Sequence, residues 1–176
     1  MEILKISELN LLDRNAVMTY EKSLYQAFKS RHPDVFKNLW IFDHAQQRAR
    51  TLVPYEGQRI LIAEVDQTFI GAVALNLDMN TQLQLEKYGF SIPKHQGKSA
   101  EALLMFSQKI MVGRHLVLSR LAEACHHLLQ SLAISVLWGS CEKRHLLGYR
   151  QLGFRTLTKV RFNGQDEFLL QRVLSV

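Results

Sequence analysis

Apolar positions along this chain change period as it runs. Leu12, Ala16, Tyr20, Leu24 and Ala27 or Phe28 recur at helical spacing, which predicts a helix ending near Ser30. Asn10 is placed to cap it, Asp13 lies in its first turn, and His32-Pro33 closes it. Val117, Leu121, Ala124, Leu128 and Leu132 form the stripe of a longer helix over 114–131. Other stretches are β-rich or alternate with period two. Residues 59–65 and 68–77 flank the two-residue link Asp66-Gln67, a hairpin pattern. Further strands are predicted over 2–6, 102–112, 132–139, 154–162 and 167–174, with Asn163-Gly164 as the turn joining the last two.

Three segments carry less periodicity. Residues 35–40 read as a short helix or turn, 43–50 as a polar helix, and 88–93 as extended chain leading into a basic loop over 93–99. A short helix is predicted over 141–152, with Ser140 at its cap and Glu142 in its first turn. An antiparallel pair in front of a strand–helix–strand unit implies an α/β (α+β) fold: a mixed, mostly antiparallel sheet with helices on both faces.

Composition narrows the class. At 176 residues the chain reads as one domain over 1–176, long enough to bury roughly 70% of its unfolded surface without a metal or disulfide. Two cysteines are too few for a disulfide framework, and both read as reduced thiols in a cytoplasmic protein. The start, Met1-Glu2-Ile3-Leu4-Lys5, does not read as a signal peptide, and no apolar run approaches the roughly 18 residues of a membrane span. A net charge of +6 (22 − 16) suits an acidic partner or simply aids solubility.

Most catalytic signatures are missing. His126 and His127 are adjacent and point about 100° apart on a helix, and no HExxH or paired Cys/His spacing occurs, so no metal site is expected. There is no GxSxG elbow. Gly97-Lys98-Ser99 lacks the P-loop's leading glycine, because position 92 is Ile. Basic residues are scattered and not interleaved with aromatics, which argues against nucleic acid. Glu64 and Glu101 are the carboxylates placed to act as a general base, or else they are ordinary strand-end carboxylates.

Three stretches carry a resemblance. The first is the hairpin 60–72 with its acidic turn and Gly71. The second is Gly148-Tyr149-Arg150-Gln151-Leu152-Gly153-Phe154. The third is Met111-Val112-Gly113-Arg114-His115-Leu116, at the head of the long helix. Together with the order of elements they resemble the GNAT superfamily of N-acyltransferases. In the second stretch, Gly148 and Gln151 replace the family's usual leucine and basic residue, while Tyr149, Leu152, Gly153 and Phe154 keep its spacing.

The resemblance implies an N-acyltransferase moving an acyl group from a thioester to an amine or amino acid. Tyr149 would protonate the leaving thiolate, and Glu101 would be the base. Met111, Val112, Gly113, Arg114, His115 and Leu116 would grip the donor's phosphates through free helix N–H groups. One glycine stands where the family usually has two small residues. That is similar to the N-acyl amino acid synthases and acyl-homoserine-lactone synthases, which take acyl chains from an acidic acyl carrier protein. The donor is left open between acyl-CoA and acyl carrier protein. A catalytically degenerate GNAT-fold module that binds a ligand or partner is the alternative reading.

Overall fold

The structure, a computed structural model, describes residues 4–30, 38–94, 98–108 and 114–174. Strand β1 (Leu4–Glu8) leads into helix α1 (Arg14–Phe28), followed by the short strands β2 (Trp40–Asp43) and β3 (Arg48–Thr51). Strands β4 (Gln58–Val65) and β5 (Thr68–Asn76) precede a one-turn helix α2 (Gln84–Lys87) and strand β6 (Ser99–Ser107). Helix α3 (Arg114–Ser131), strand β7 (Val136–Glu142), helix α4 (Leu146–Gln151) and strands β8 (Arg155–Phe162) and β9 (Gln165–Val173) complete the chain.

Seven strands form one sheet in the order β1-β4-β5-β6-β7-β9-β8, and β2 and β3 form a separate ribbon. All neighbours are antiparallel except β6 and β7. This is the mixed, mostly antiparallel sheet the sequence implies. On one face α3 buries Val117, Leu121, Cys125 and Leu129, one residue per turn, against β4, β5 and β6, with α4 beside it. On the other face α1 buries Tyr20, Leu24 and Phe28 together with the β2–β3 ribbon. A third cluster, around Leu83, Leu85, Phe90, Trp138 and Leu169, lies under α2. At Gly71, β5 passes so close to β6 that a Cβ would stand 2.7 Å from the Phe106 carbonyl oxygen. Only glycine fits there.

Several sequence expectations are corrected. Asp13, not Asn10, caps α1: Asp13 Oδ1 accepts from the Asn15 and Ala16 amides at 2.9 and 3.2 Å. The Asn10 carboxamide oxygen instead accepts from the Leu12 amide, one turn too early. Residues 43–50 are not a helix. They carry the end of β2, a turn and most of β3, because Trp40, Phe42, Ala49 and Thr51 alternate onto one face and cover α1. Ser140 is inside β7 rather than at a helix cap, and Glu142 ends that strand. The helix behind it is a 3₁₀ turn, Lys143–His145, followed by α4. Tyr88 caps the end of α2 with helical backbone angles rather than being extended. Strand β6 begins three residues earlier than expected and ends at Ser107; residues 109–113 lie outside the described residues.

β6 and β7 pair only over Ser99–Val136, Ala100–Leu137 and Glu101–Trp138. Immediately beyond, β6 carries an extra residue. Leu75 faces Ala102 and Ala74 faces Leu104, so Leu103 is bulged out. A bulge bends its strand and increases the local twist. β6 therefore leaves β7 at Ala102 and Gly139, and a gap opens in the middle of the sheet.

Candidate active site

The gap is a cleft of about 440 Å³, walled by Ala102 to Phe106 of β6 and Gly139 to Glu142 of β7. It reaches both faces. Leu118, Ser119 and Tyr149 close it on the side of α3 and α4, and Phe28, Trp40, Gln84 and Tyr88 on the side of α1 and α2.

Tyr149 is held by the end of its helix. Gly153 follows α4 with φ +85°, the left-handed conformation that glycine adopts without strain. The Gly153 amide donates to the Arg150 carbonyl at 3.0 Å and the Phe154 amide to the Tyr149 carbonyl at 3.1 Å. This is a Schellman closure. It brings Phe154 back across the helix, where its ring meets that of Tyr149 edge-on at 5.4 Å and 86°. The spacing Tyr-x-x-Leu-Gly-Phe is thus a device that fixes one tyrosine ring. The Tyr149 phenol is pushed well above its ordinary range, first by burial and then by Cys141 and the negative charge of Glu167. It stays protonated at neutral pH, and Tyr149 lines the cleft.

The other wall is acidic. Glu142 on β7 and Glu167 on β9 are register partners, so their side chains leave the sheet on the same face. Leu169 and Trp138, an even number of residues from them along the same strands and so on the same face, pack under α2, so this is the α2 face, opposite Tyr149. Burial raises the Glu167 carboxyl to about 7; the Ser140 hydroxyl beside it pulls it down, and Glu142 pushes it up. The same Ser140 hydroxyl neighbours the phenol of Tyr88, whose own ionisation is suppressed by burial and by the two glutamates.

Glu101 is fully buried, at the last paired position of β6. Its oxygens accept from the Leu85 amide at 2.7 Å and from Asn76 Nδ2 at 3.1 Å. Burial raises its carboxyl while these donors oppose the rise. The carboxylate faces the amides at the start of α2, and not the described cleft wall. Gln84, in α2, donates its side-chain N–H to the Leu103 carbonyl at 2.9 Å, which occupies the bulge. Its Oε1 is buried with no hydrogen-bond partner.

Of the remaining sequence candidates, Glu64 is on β4, separated from β6 by β5. Met111, Val112 and Gly113 lie outside the described residues; Arg114 and His115 open α3 and Leu116 is exposed, 51%. Cys125 and Cys141 are free and buried, and burial pushes both thiols up to about 12, far from a neutral-pH nucleophile.

No family model matches the chain, and no curated protein matches it. Solved structures do. The acyl-homoserine lactone synthase LasI superposes with a TM-score of 0.75 at 12% identity, over 99% of this chain and 91% of that one. BjaI, a CoA-dependent acyl-homoserine lactone synthase solved with SAM and isopentyl-CoA, gives 0.75 at 13%, over 99% and 84%. FeeM, an N-acyl amino acid synthase from uncultured soil microbes, gives 0.63 at 11%, over 99% and 92%. A GNAT-family acetyltransferase from Streptococcus pneumoniae gives 0.63 at 14%, over 98% and 100%. The chain has the GNAT fold.

Within that fold, the sequence pointed to one of the two cleft-lining groups, Tyr149 and Glu167. Tyr149 was legible from a local motif. Glu167 was not, because its carboxyl is raised by burial in the folded sheet and by Glu142, about 25 residues earlier and adjacent only through the β7–β9 register.

Proposed function

We propose that this chain is an N-acyltransferase that moves an acyl group from a thioester donor to an amine. One observation carries the reading. The sheet parts at Ala102 and Gly139, and a phenol held protonated on one face and a carboxyl near 7 on the other both line the gap. An acid and a base whose surroundings separate their proton affinities are what aminolysis of a thioester needs.

In this reading the acceptor enters from the α2 face as an ammonium ion, and Glu167 takes a proton from it. The neutral nitrogen attacks the thioester carbonyl, a C–N bond forms, and the tetrahedral intermediate collapses with loss of the C–S bond. Tyr149 protonates the departing thiolate and regains its proton from the second nitrogen proton through solvent; the proton on Glu167 is released. Glu101 positions α2, and with it Gln84 and Tyr88. The donor's phosphate end is assigned to the head of α3, at Met111, Val112, Gly113, Arg114, His115 and Leu116, where unpaired helix N–H groups favour an anion. The donor is an acyl-CoA or an acyl carrier protein thioester.

Thiol release from acyl-CoA or acyl carrier protein, followed with a thiol-reactive chromophore over a panel of amines, tests the proposal. Amine-dependent release is expected, and Tyr149→Phe should reduce it. A thioester that binds with no release for any amine would make the chain a binding module built on an acyltransferase fold.

A further inference from the structure

The charge inside the cleft and the charge of the whole chain have opposite signs. The chain carries +6, yet among the described lining residues there is no Lys or Arg, while Glu142 and Glu167 are both present. Resting on the acyltransferase reading above, we infer that the acceptor is a primary amine carrying a second cationic centre and no carboxylate, such as an alkyl diamine.

Three features of the α2 face support this. Glu142 and Glu167 stand opposite each other in the β7–β9 register. Like charges so placed repel, and a cation between them removes that cost. Arg144, 61% exposed, engages Glu142 Oε2 at 2.8 Å and leaves Glu167 without a cationic partner among the described ion pairs. Next, Gln84 is 7% exposed and its Oε1 has no partner. The bond from Gln84 Nε2 to the Leu103 carbonyl fixes which end of the amide is the acceptor. Gln84 lines the cleft, and an N–H donor that reached this buried lone acceptor would satisfy it. Finally, the same side of the cleft ends in the rings of Trp40 and Phe28, centroids 4.8 Å apart, surfaces that tolerate an alkylammonium chain and its charge.

The charged groups described here are both carboxylates, and the Ser140 hydroxyl is already engaged with Glu167 and Tyr88. The division of labour follows. Glu167 takes the proton of the reacting nitrogen, and Glu142 and Gln84 Oε1 hold the other cationic end. The carboxylate of an amino-acid acceptor would meet two carboxylates and a carbonyl oxygen.

Three probes of one length isolate the point: 1,5-diaminopentane, pentylamine and 5-aminopentanoate, titrated calorimetrically into the intact protein without donor at pH 8. The diamine is expected to bind at least tenfold more tightly than 5-aminopentanoate, with pentylamine between them. Glu142→Gln, checked for an unchanged melting temperature, should bring the diamine to the pentylamine value, and Gln84→Leu should weaken the diamine further than pentylamine. Equal or tighter binding of 5-aminopentanoate overturns the inference, and so does an absence of binding by all three. Because no donor is present, this outcome is independent of the thiol-release assay. A preserved ranking without turnover would sink the enzyme reading and leave the ligand class standing.

Discussion

At the scale of single residues, the cleft sets a phenol and a carboxyl apart by what surrounds each. Tyr149 lies beside Cys141 and feels Glu167, and its proton is held tightly. Tyr149→Phe keeps the ring that packs on Phe154 and removes only the donor, so turnover should fall about 10²–10⁴-fold with the melting temperature nearly unchanged. Full activity of the Phe variant would make Tyr149 structural. Glu167 gives a second prediction, with opposite signs for rate and stability. As base it must be ionised, so the rate should rise with pH through about 7. Its folded carboxyl lies above the ordinary value of 4.5, so between about 4.5 and 7 the folded state holds more protons than the unfolded one and stability falls as pH rises. Glu167→Gln should flatten that slope in pH-dependent urea melts, stabilise the fold at pH 8, and lose the rate limb near 7. An unaltered pH–rate profile would place the base elsewhere. The sequence exposed Tyr149 because its motif is contiguous, and hid Glu167 because its partners meet it only across strands.

At the scale of elements, the devices that matter are ends and bends. Gly153→Ala forces a Cβ into the left-handed turn after α4, which costs about 1–2 kcal/mol. It also loosens the closure that aims Tyr149, so kcat should drop beyond what the change in melting temperature explains. Glu101 tests a different link. It ties α2 to the end of the β6–β7 pairing through Leu85 and Asn76. Glu101→Gln should therefore lower the melting temperature and cost less than tenfold in kcat; a loss of 10²-fold or more at an unchanged melting temperature would make it the base instead. Helix α3 was readable end to end because its stripe has one period throughout, and the β4–β5 and β8–β9 hairpins because their turns are local. The β2–β3 ribbon was read as helix, since four-residue strands such as Arg-Ala-Arg-Thr alternate too briefly to show against a polar background. Helix α2 left no periodic trace either: one turn long, it is held by a carboxylate sixteen residues further on.

For the molecule as a whole, the proposed function would use a net charge of +6 and an acidic described part of the cleft for two separate recognition tasks. On that reading the net positive charge would favour an anionic donor and the cleft a cationic acceptor. If the donor is an acyl carrier protein, kcat/KM should fall more steeply with salt between 50 and 300 mM than it does for the same acyl-CoA, since an extended charged contact is screened more than a pocket. Parallel salt responses would place the donor contact away from the basic surface. The three-pair seam between β6 and β7 has a consequence beyond chemistry. It divides the sheet into a four-stranded block, β1-β4-β5-β6, and a three-stranded one, β7-β9-β8, while β7 and β9 are joined by seven pairs. A sheet joined so narrowly should come apart along that line before either block melts. In native-state hydrogen exchange, amides bridging the seam should open at lower free energy than those within β4–β5 or β7–β9. A thioester spanning both walls would act as a rivet, raising the protection of the seam toward that of its neighbours.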